Sequence, residues 1–316
     1  VRRYNDTLPN LAVVIPSYKA VGTIDAVIKG LPETITHIII VDDGCPQKTG
    51  THVSKTITDT RITVIHHPEN QGVGAASLTG FTKAFDLGAD IALKMDSDDQ
   101  HDPAYIDALI IPLTQGRADY TKGSRFLRPS DLKDMPRLRI FLNAILSFTN
   151  KFASGYYSIT DPTNGFVAIT RAAFETLPRD KIAKRYFFES DILHHLNLQR
   201  SIVSDIPIHI RYRGEESDLK LRRELFSFTV GNIRNFFRRI WVRHFIMHFS
   251  LPAIYLSIGL LFIIFSLVFG IPPWLASINT GIPAPFGTVI IPALLAILGV
   301  NMLTSFFLFD VNDEPK

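Results

Sequence analysis

The sequence predicts an α/β domain built on a mostly parallel sheet with helices on both faces, followed by two apolar C-terminal helices. Three observations predict it. Short β-branched apolar runs alternate with helical patterns along the first 100 or so residues. Those runs are continuous rather than alternating, as in strands buried on both sides. Residues 244–309 contain no Asp, Glu, Lys or Arg.

The strand candidates are "LAVVI" (11–15), "HIIIV" (37–41), "RITVI" (61–65) and "IALKM" (91–95), with "ADYTK" (118–122) as a further one. Helical patterns lie between them at about 23–31, 47–57 and 73–87. In such sheets ligands bind at the carboxyl ends of the strands. The polar and glycine-rich segments fall there: "PSYKA", "DDGCP", "HHPENQGVGAA" and "DSDDQHDP" follow the first four strands in turn. Four successive strand ends of this kind define one rim of one crevice.

Residues 219–243 carry seven basic residues and one acidic one. Leu221, Leu225 and Phe228 share a helical face, and Phe236, Phe237, Ile240 and Trp241 form a second apolar set beside Arg234, Arg238 and Arg239. This suits interfacial amphipathic helices on an anionic leaflet; a plain linker helix is the other reading. Residues 249–270 and 286–309 are each long enough to span a bilayer, which needs about 20 residues. The expected connector between them is the turn-rich "IPPWLASINTGIPAP". The domain boundaries read from the chain are 1–218, 219–247 and 248–316. The basic flank places the N-terminal domain on the cytoplasmic side of the cytoplasmic membrane, and two spans return the C-terminus to that side. Two lone spans leave apolar surface for a homo-oligomer, a tetramer included. The start has no apolar signal segment. The only cysteine, Cys45, has no partner for an intrachain disulfide. The net charge of +3 is unremarkable, and no nucleic-acid partner is expected.

In "LKMDSDDQHDP" (93–103), four of seven consecutive residues after the apolar run are aspartates. Asp96 and Asp98 bracket Ser97. Carboxylates at i and i+2 on a turn leaving a strand can converge on one hard cation, and Mg²⁺ or Mn²⁺ suits oxygen ligands with positions left for substrate phosphates. Asp102 before Pro103 reads as a helix cap instead. An EF-hand is excluded, because its Gly and Glu positions hold His101 and Asp107. His66 and His67, and His194 and His195, are adjacent pairs whose side chains point apart, so no zinc site is expected. Asp42 and Asp43 sit at a strand end before a Gly turn. Gln71 and Gly72 open a helix whose small residues allow backbone or a ligand to approach; a close-packed helix start explains them equally.

The segments "VVIPSYKA", "IIIVDDG", "ENQGVGAA", "KMDSDDQHDP", "KGSRF" and "DPTNGF" resemble, in order and spacing, the family 2 glycosyltransferases with a GT-A fold. Within that family the chain is similar to polyprenyl-phosphate glycosyltransferases such as dolichyl-phosphate mannose synthase and the bactoprenol glucosyltransferases. The resemblance implies that Pro16, Tyr18 and Asp43 hold the base and ribose of a nucleotide sugar. It implies that Asp96 and Asp98 bind the metal with Gln100 beside them, and that Arg125 meets the phosphates. It implies that Arg211 grips the diphosphate or the lipid phosphate, and that Asp161 and Asp191 line the acceptor side. Asp42, Gln71, Gly72, Ser97 and Lys220 join the donor set, and Arg137, Arg139, Arg211 and Arg213 the acceptor-phosphate set. The chain departs from the usual pattern at Lys19, Ala20 and Cys45, and its "GEESDLK" has one residue more than the family's Gly-Glu-Ser-Lys.

The expected reaction is transfer of a sugar from a UDP- or GDP-sugar to undecaprenyl or dolichyl phosphate with inversion, serving cell-envelope glycan or protein glycosylation. The alternatives are a processive membrane polysaccharide synthase, for which more spans and a Gln-x-x-Arg-Trp motif are wanting, and a non-catalytic scaffold that binds a sugar nucleotide.

Overall fold

The computed structural model describes residues 9–127, 137–210, 221–247 and 250–316, with backbone alone for 137–142 and 221–226. It forms two compact units, divided at Phe237 and Arg238.

The first unit is built on a seven-stranded sheet. Its strands are β1 (Leu11–Ser17), β2 (His37–Asp42), β3 (Ile62–His66), β4 (Ile91–Lys94), β5 (Tyr120–Ser124), β6 (Val167–Thr170) and β7 (Val203–Pro207), in the order β3-β2-β1-β4-β6-β5-β7. The four strands read from the apolar runs are parallel, as expected. β6 runs antiparallel to both β4 and β5; it and β7 were not read from the sequence. This is a GT-A-like arrangement, mostly parallel with one reversed strand.

Alternation within each strand feeds two cores. Val14, Ile39 and Val41 turn to one face, under α3 (Val73–Asp86) and α7 (Phe188–Leu198). Val13, Ile15, Ile38 and Ile40 turn to the other, under α1 (Ile24–Lys29) and α4 (Ile106–Thr114). Burial on both faces is why the strand runs are apolar throughout. α2 (Thr49–Thr56) lies between β2 and β3 in the chain, α5 (Arg137–Ser154) between β5 and β6, and α6 (Arg171–Thr176) directly follows β6. A short 3₁₀ turn at Pro103–Tyr105 precedes α4. Asp102 caps it by accepting a bond from the Ala104 N–H at 3.0 Å, as the Asp-Pro pair suggested.

α8 (Leu221–Ile240) is one continuous helix, extended by a π-helical stretch at Trp241–Met247. Two asparagines at i and i+3 tie it to the sheet unit. Asn232 donates to the Thr149 hydroxyl at 3.2 Å and accepts from Asn150 at 3.4 Å, while Asn235 donates to Asp191 at 2.7 Å. Val230, Ile233 and Phe237 remain exposed on the same helix beside Arg234, an amphipathic face.

The second unit holds α9 (Leu251–Thr280) and α10 (Phe286–Asn312), both long and apolar enough to cross a membrane. The expected connector is largely helical: α9 continues through Pro272 and Pro273, leaving only residues 281–285 as the turn. At about 1.5 Å per residue the helix outlasts the hydrocarbon core. The helices run antiparallel and cross closely at Gly259 and Gly299, where a Cβ on Gly299 would lie 3.0 Å from the Gly259 carbonyl oxygen. At one end of the pair, Asp310 accepts two bonds from Arg239, at 2.6 and 2.7 Å, and lies 3.3 Å from His244. These charges border the charge-free stretch on either side in sequence, and the hairpin brings them together.

One close approach of the fold can be tested directly. In α3, a Cβ on Gly74 would lie 2.5 Å from the Ala183 carbonyl oxygen and 2.9 Å from the Lys184 carbonyl carbon. Alanine improves helix propensity by about 1 kcal/mol. Backbone cannot swing aside as a side chain does, so Gly74→Ala should still destabilise the chain, by about 1–3 kcal/mol before that gain is counted. Thermal denaturation reads the outcome: a midpoint below wild type is expected, and one at or above it would show that the 183–185 segment yields.

Candidate active site

The strand ends build a cavity of about 560 Å³. Pro16, Ser17 and Tyr18 enter from the end of β1, Asp43 from β2, and Asn70, Gly72, Val73 and Ala76 from the start of α3. Asp96, Ser97 and Asp98 come from β4. Thr163 and Gly165 precede β6, and Arg185, Tyr186 and Glu189 lead into α7, with Phe228 from α8. Pro16, Tyr18, Asp43, Gly72 and Ser97, expected on the donor side, therefore line one cavity with Asp96 and Asp98, as a crevice on a single rim requires.

Asp43 organises the rim. Its Oδ1 accepts from the Gln71 N–H at 3.0 Å and faces His67 Nδ1 at 2.7 Å, and its Oδ2 accepts from the Gly72 N–H at 2.8 Å. Gln71 thus serves through its backbone and does not line the cavity. Asp42 points into the turn behind: its oxygens accept from the Cys45 N–H at 2.9 Å and the Gly50 N–H at 2.7 Å. Tyr18 is half exposed at the cavity mouth.

The floor holds a charge arrangement absent from the sequence reading. Lys94 is fully buried, with Nζ 2.6 Å from Asp96 Oδ1, 3.2 Å from Glu189 Oε1 and 3.3 Å from the Gly165 carbonyl oxygen. Burial pushes the Asp96 carboxyl up, but Lys94 and then His101 more than offset it and hold it at about 2. Burial lowers Lys94 as well, yet Asp96 and Glu189 raise it overall, so the ammonium stays charged. Lys122, on β5, donates to the Asn164 carbonyl. Burial pushes it down to about 8 in spite of Asp161, Glu189 and Asp205. His101 stacks on Phe166 and accepts from the Asp96 N–H at 3.2 Å; burial brings it to about 4.

Arg125 and Asp161 form a buried bidentate pair, with bonds of 2.6 and 2.8 Å from guanidinium to carboxylate. Neither lines the cavity; Arg125 lies one side chain behind it, 3.4 Å from the Thr163 hydroxyl. Asp191 is also set behind the wall: it accepts from the Ala183 N–H at 2.7 Å and from Asn235, and it ties α7 to α8. Gln100 donates its N–H to Asp98 Oδ1 at 3.1 Å and is not among the lining residues. Arg137 and Arg139 sit in the first turn of α5, with side chains outside the described residues; Arg211, Arg213 and Lys220 lie wholly outside them.

The residues present fit a hard divalent cation. Asp96 is about a third exposed to the cavity and kept ionised, with one oxygen taken by Lys94, and Asp98 stands two residues on. Among the described residues no group of three His, Cys, Asp or Glu side chains could hold a metal alone. Mg²⁺ is commonly held by one or two carboxylates together with substrate phosphates, and such a site needs no third protein ligand.

The Arg125–Asp161 pair makes a stability prediction. Burial raises the Asp161 carboxyl, but Arg125 outweighs it and leaves the folded value below the ordinary one. The stabilisation is therefore complete above the unfolded value of about 4 and is lost as the pH falls through the folded one. Asp161→Asn should cost about 3–5 kcal/mol at pH 7 and flatten the acid limb of the stability profile. Denaturation midpoints measured from pH 3 to 7 check this; an unchanged acid limb would assign it to other carboxylates.

Residues 12–177 match the family model described as "Glycosyl transferase family 2". The chain is 32% identical over 214 residues to the UDP-N-acetylglucosamine–dolichyl-phosphate N-acetylglucosaminyltransferase of Methanococcus voltae, covering 63% of this chain and 85% of that one. It is 27% identical over 231 residues to the polyprenol monophosphomannose synthase of Mycolicibacterium smegmatis, covering 70% and 86%. Among solved structures it is similar to glucosyl-3-phosphoglycerate synthase from Mycobacterium tuberculosis, in complex with Mn²⁺, uridine-diphosphate and glucosyl-3-phosphoglycerate. There the TM-score is 0.53 at 18% identity, covering 73% of this chain and 80% of that one, a likeness of fold. With more than half of its length matched by the family model and the strand-end carboxylates gathered in one cavity, the chain belongs to glycosyl transferase family 2.

Proposed function

We propose that this protein transfers a sugar from a UDP- or GDP-sugar to a polyprenyl phosphate at a membrane surface, with inversion at the anomeric carbon. The observation that carries the reading is the placement of Asp96 and Asp98 in the same cavity as Tyr18 and Asp43. The relatives from Methanococcus voltae and Mycolicibacterium smegmatis, named for dolichyl phosphate and polyprenol monophosphomannose, support the acceptor class.

Each residue then has a physical task. Tyr18 offers an exposed ring to the nucleobase, and Asp43 fixes the loop that brings Asn70 and Gly72 to the ribose side. Asp96 and Asp98 hold Mg²⁺ or Mn²⁺, which when bound neutralises charge on the leaving diphosphate. A phosphate monoester is largely ionised near neutral pH, with a second pKa of about 6, so its oxygen attacks without a strong general base. Asp161 and Asp191 act through Arg125 and through the α7–α8 contact rather than as bases. Arg137, Arg139, Arg211 and Arg213 are the candidates for the lipid phosphate, and Lys220 for the donor side. The exposed Val230, Ile233 and Phe237 rest α8 on the leaflet, α9 and α10 anchor the chain, and the basic flank keeps the site cytoplasmic.

Asp96→Asn and Asp98→Asn should each lower turnover at least about 100-fold without unfolding the chain, because charge neutralisation at the leaving group is a large term. The assay is metal-dependent release of nucleoside diphosphate on adding polyprenyl phosphate, across a panel of UDP- and GDP-sugars. Near-normal turnover in limiting metal, or release indifferent to lipid phosphate, would contradict the reading.

A further inference from the structure

Glu189 is a buried carboxylate with an incomplete set of partners. It stands in the first turn of α7, is 7% exposed, and lines the cavity. Its Oε1 takes one bond from Lys94 at 3.2 Å, and among the described residues no other hydrogen bond reaches its carboxylate. An ionised carboxylate accepts about four hydrogen bonds.

Lys94 fixes where this carboxylate points. An ammonium has three N–H donors. Those of Lys94 go to Asp96 Oδ1, Glu189 Oε1 and the Gly165 carbonyl oxygen. Gly165 leaves the space: a Cβ there would lie 2.5 Å from both Asp96 Oδ2 and Lys94 Nζ. One rigid cation thus holds Glu189 beside the aspartate assigned to the metal.

The remaining cavity charges sort the ligand's parts. The charged lining residues are Asp43, Asp96, Asp98, Arg185 and Glu189. Asp43 is committed to its loop, and Asp96 and Asp98 to the cation. A diphosphate carries acceptors only and would be repelled by a further carboxylate. A sugar carries O–H donors, which an acceptor-only carboxylate matches.

We propose that Glu189 accepts hydrogen bonds from hydroxyls of the transferred sugar, held for that task by the Lys94 ammonium it shares with Asp96. The inference rests on the nucleotide-sugar reading above and deepens it. Glu189 is a donor-sugar contact, and Lys94 is its positioning residue.

The test compares nucleoside diphosphates with their own sugar conjugates on the full-length protein in detergent with Mn²⁺, by calorimetry. Glu189→Gln keeps shape and leaves the Lys94–Asp96 bond in place. Its affinity for UDP or GDP should stay within about 3-fold of wild type, while affinity for the matching nucleotide sugar falls roughly 10- to 100-fold, as expected for a lost charge-assisted bond. Glu189→Asp keeps the charge for Lys94 on a shorter stem, guards against a folding defect, and should show the same selective loss. An equal loss for diphosphate and conjugate would make Glu189 a prop for the metal site and overturn the inference. So would unchanged affinity for both. Wild-type protein that binds no member of the panel would overturn the proposed function and the inference together, whereas an unaltered ratio in the variants overturns the inference alone.

Discussion

A carboxylate in a half-enclosed cavity, such as the one proposed to hold a cation, has to stay ionised where water is scarce, and Lys94 is what permits this for Asp96. Without an opposite charge, burial would push the carboxyl toward its neutral form. The counter-charge is itself buried, and such a pair is stable only when every donor is used. Here all three ammonium protons have acceptors. The arrangement is thus both an electrostatic and a geometric constraint, and the neighbouring residues are chosen around it.

The reversed strand β6 provides the place for it. The register puts Lys94 on β4 and Lys122 on β5 on either side of Val167, so the two lysines leave the same face of the sheet under α7. Asp205 pairs with Lys122 in register on β7, and Asp161 lies near it. The loop entering β6 carries Asp161, Thr163, Asn164 and Gly165, which serve Arg125, the cavity wall, Lys122 and Lys94 in turn. A parallel strand in that position would deliver this loop to the opposite edge. The single antiparallel strand and the cavity floor are one feature of the fold.

Much of this was legible in the chain because it is local. Four apolar runs gave four parallel strands within one or two residues, and the polar segments after them fell at one rim. What escaped depends on contacts distant in sequence. Lys94 and Glu189 are 95 residues apart, and nothing in "FFESD" says that Glu189 rather than Asp191 faces the cavity. A signal was present: lysines inside the apolar runs "IALKM" and "ADYTKGS" occupy positions where an unpaired charge is rarely buried. Arg125 and Asp161 were each expected at ligands, and that the fold pairs them with one another depends on a contact 36 residues apart in sequence. The asparagines that dock α8 were also readable, as two amides three residues apart in a basic and apolar helix. In the apolar hairpin, the turn residues Pro272 and Pro273 suggested a loop, whereas α9 carries both prolines within it and turns only at residues 281–285.

The central claim is that the strand-end cavity places a divalent cation between Asp96, Asp98 and a diphosphate. An experimental structure of the full chain with Mn²⁺ and UDP or GDP, using the anomalous signal of manganese, tests it most directly. The account predicts a single strong anomalous peak bonded to Asp96 and Asp98, with the nucleotide's diphosphate on its open side and Lys94 still on Asp96. A peak elsewhere, or a nucleotide bound in this cavity with no metal at those two carboxylates, would contradict it.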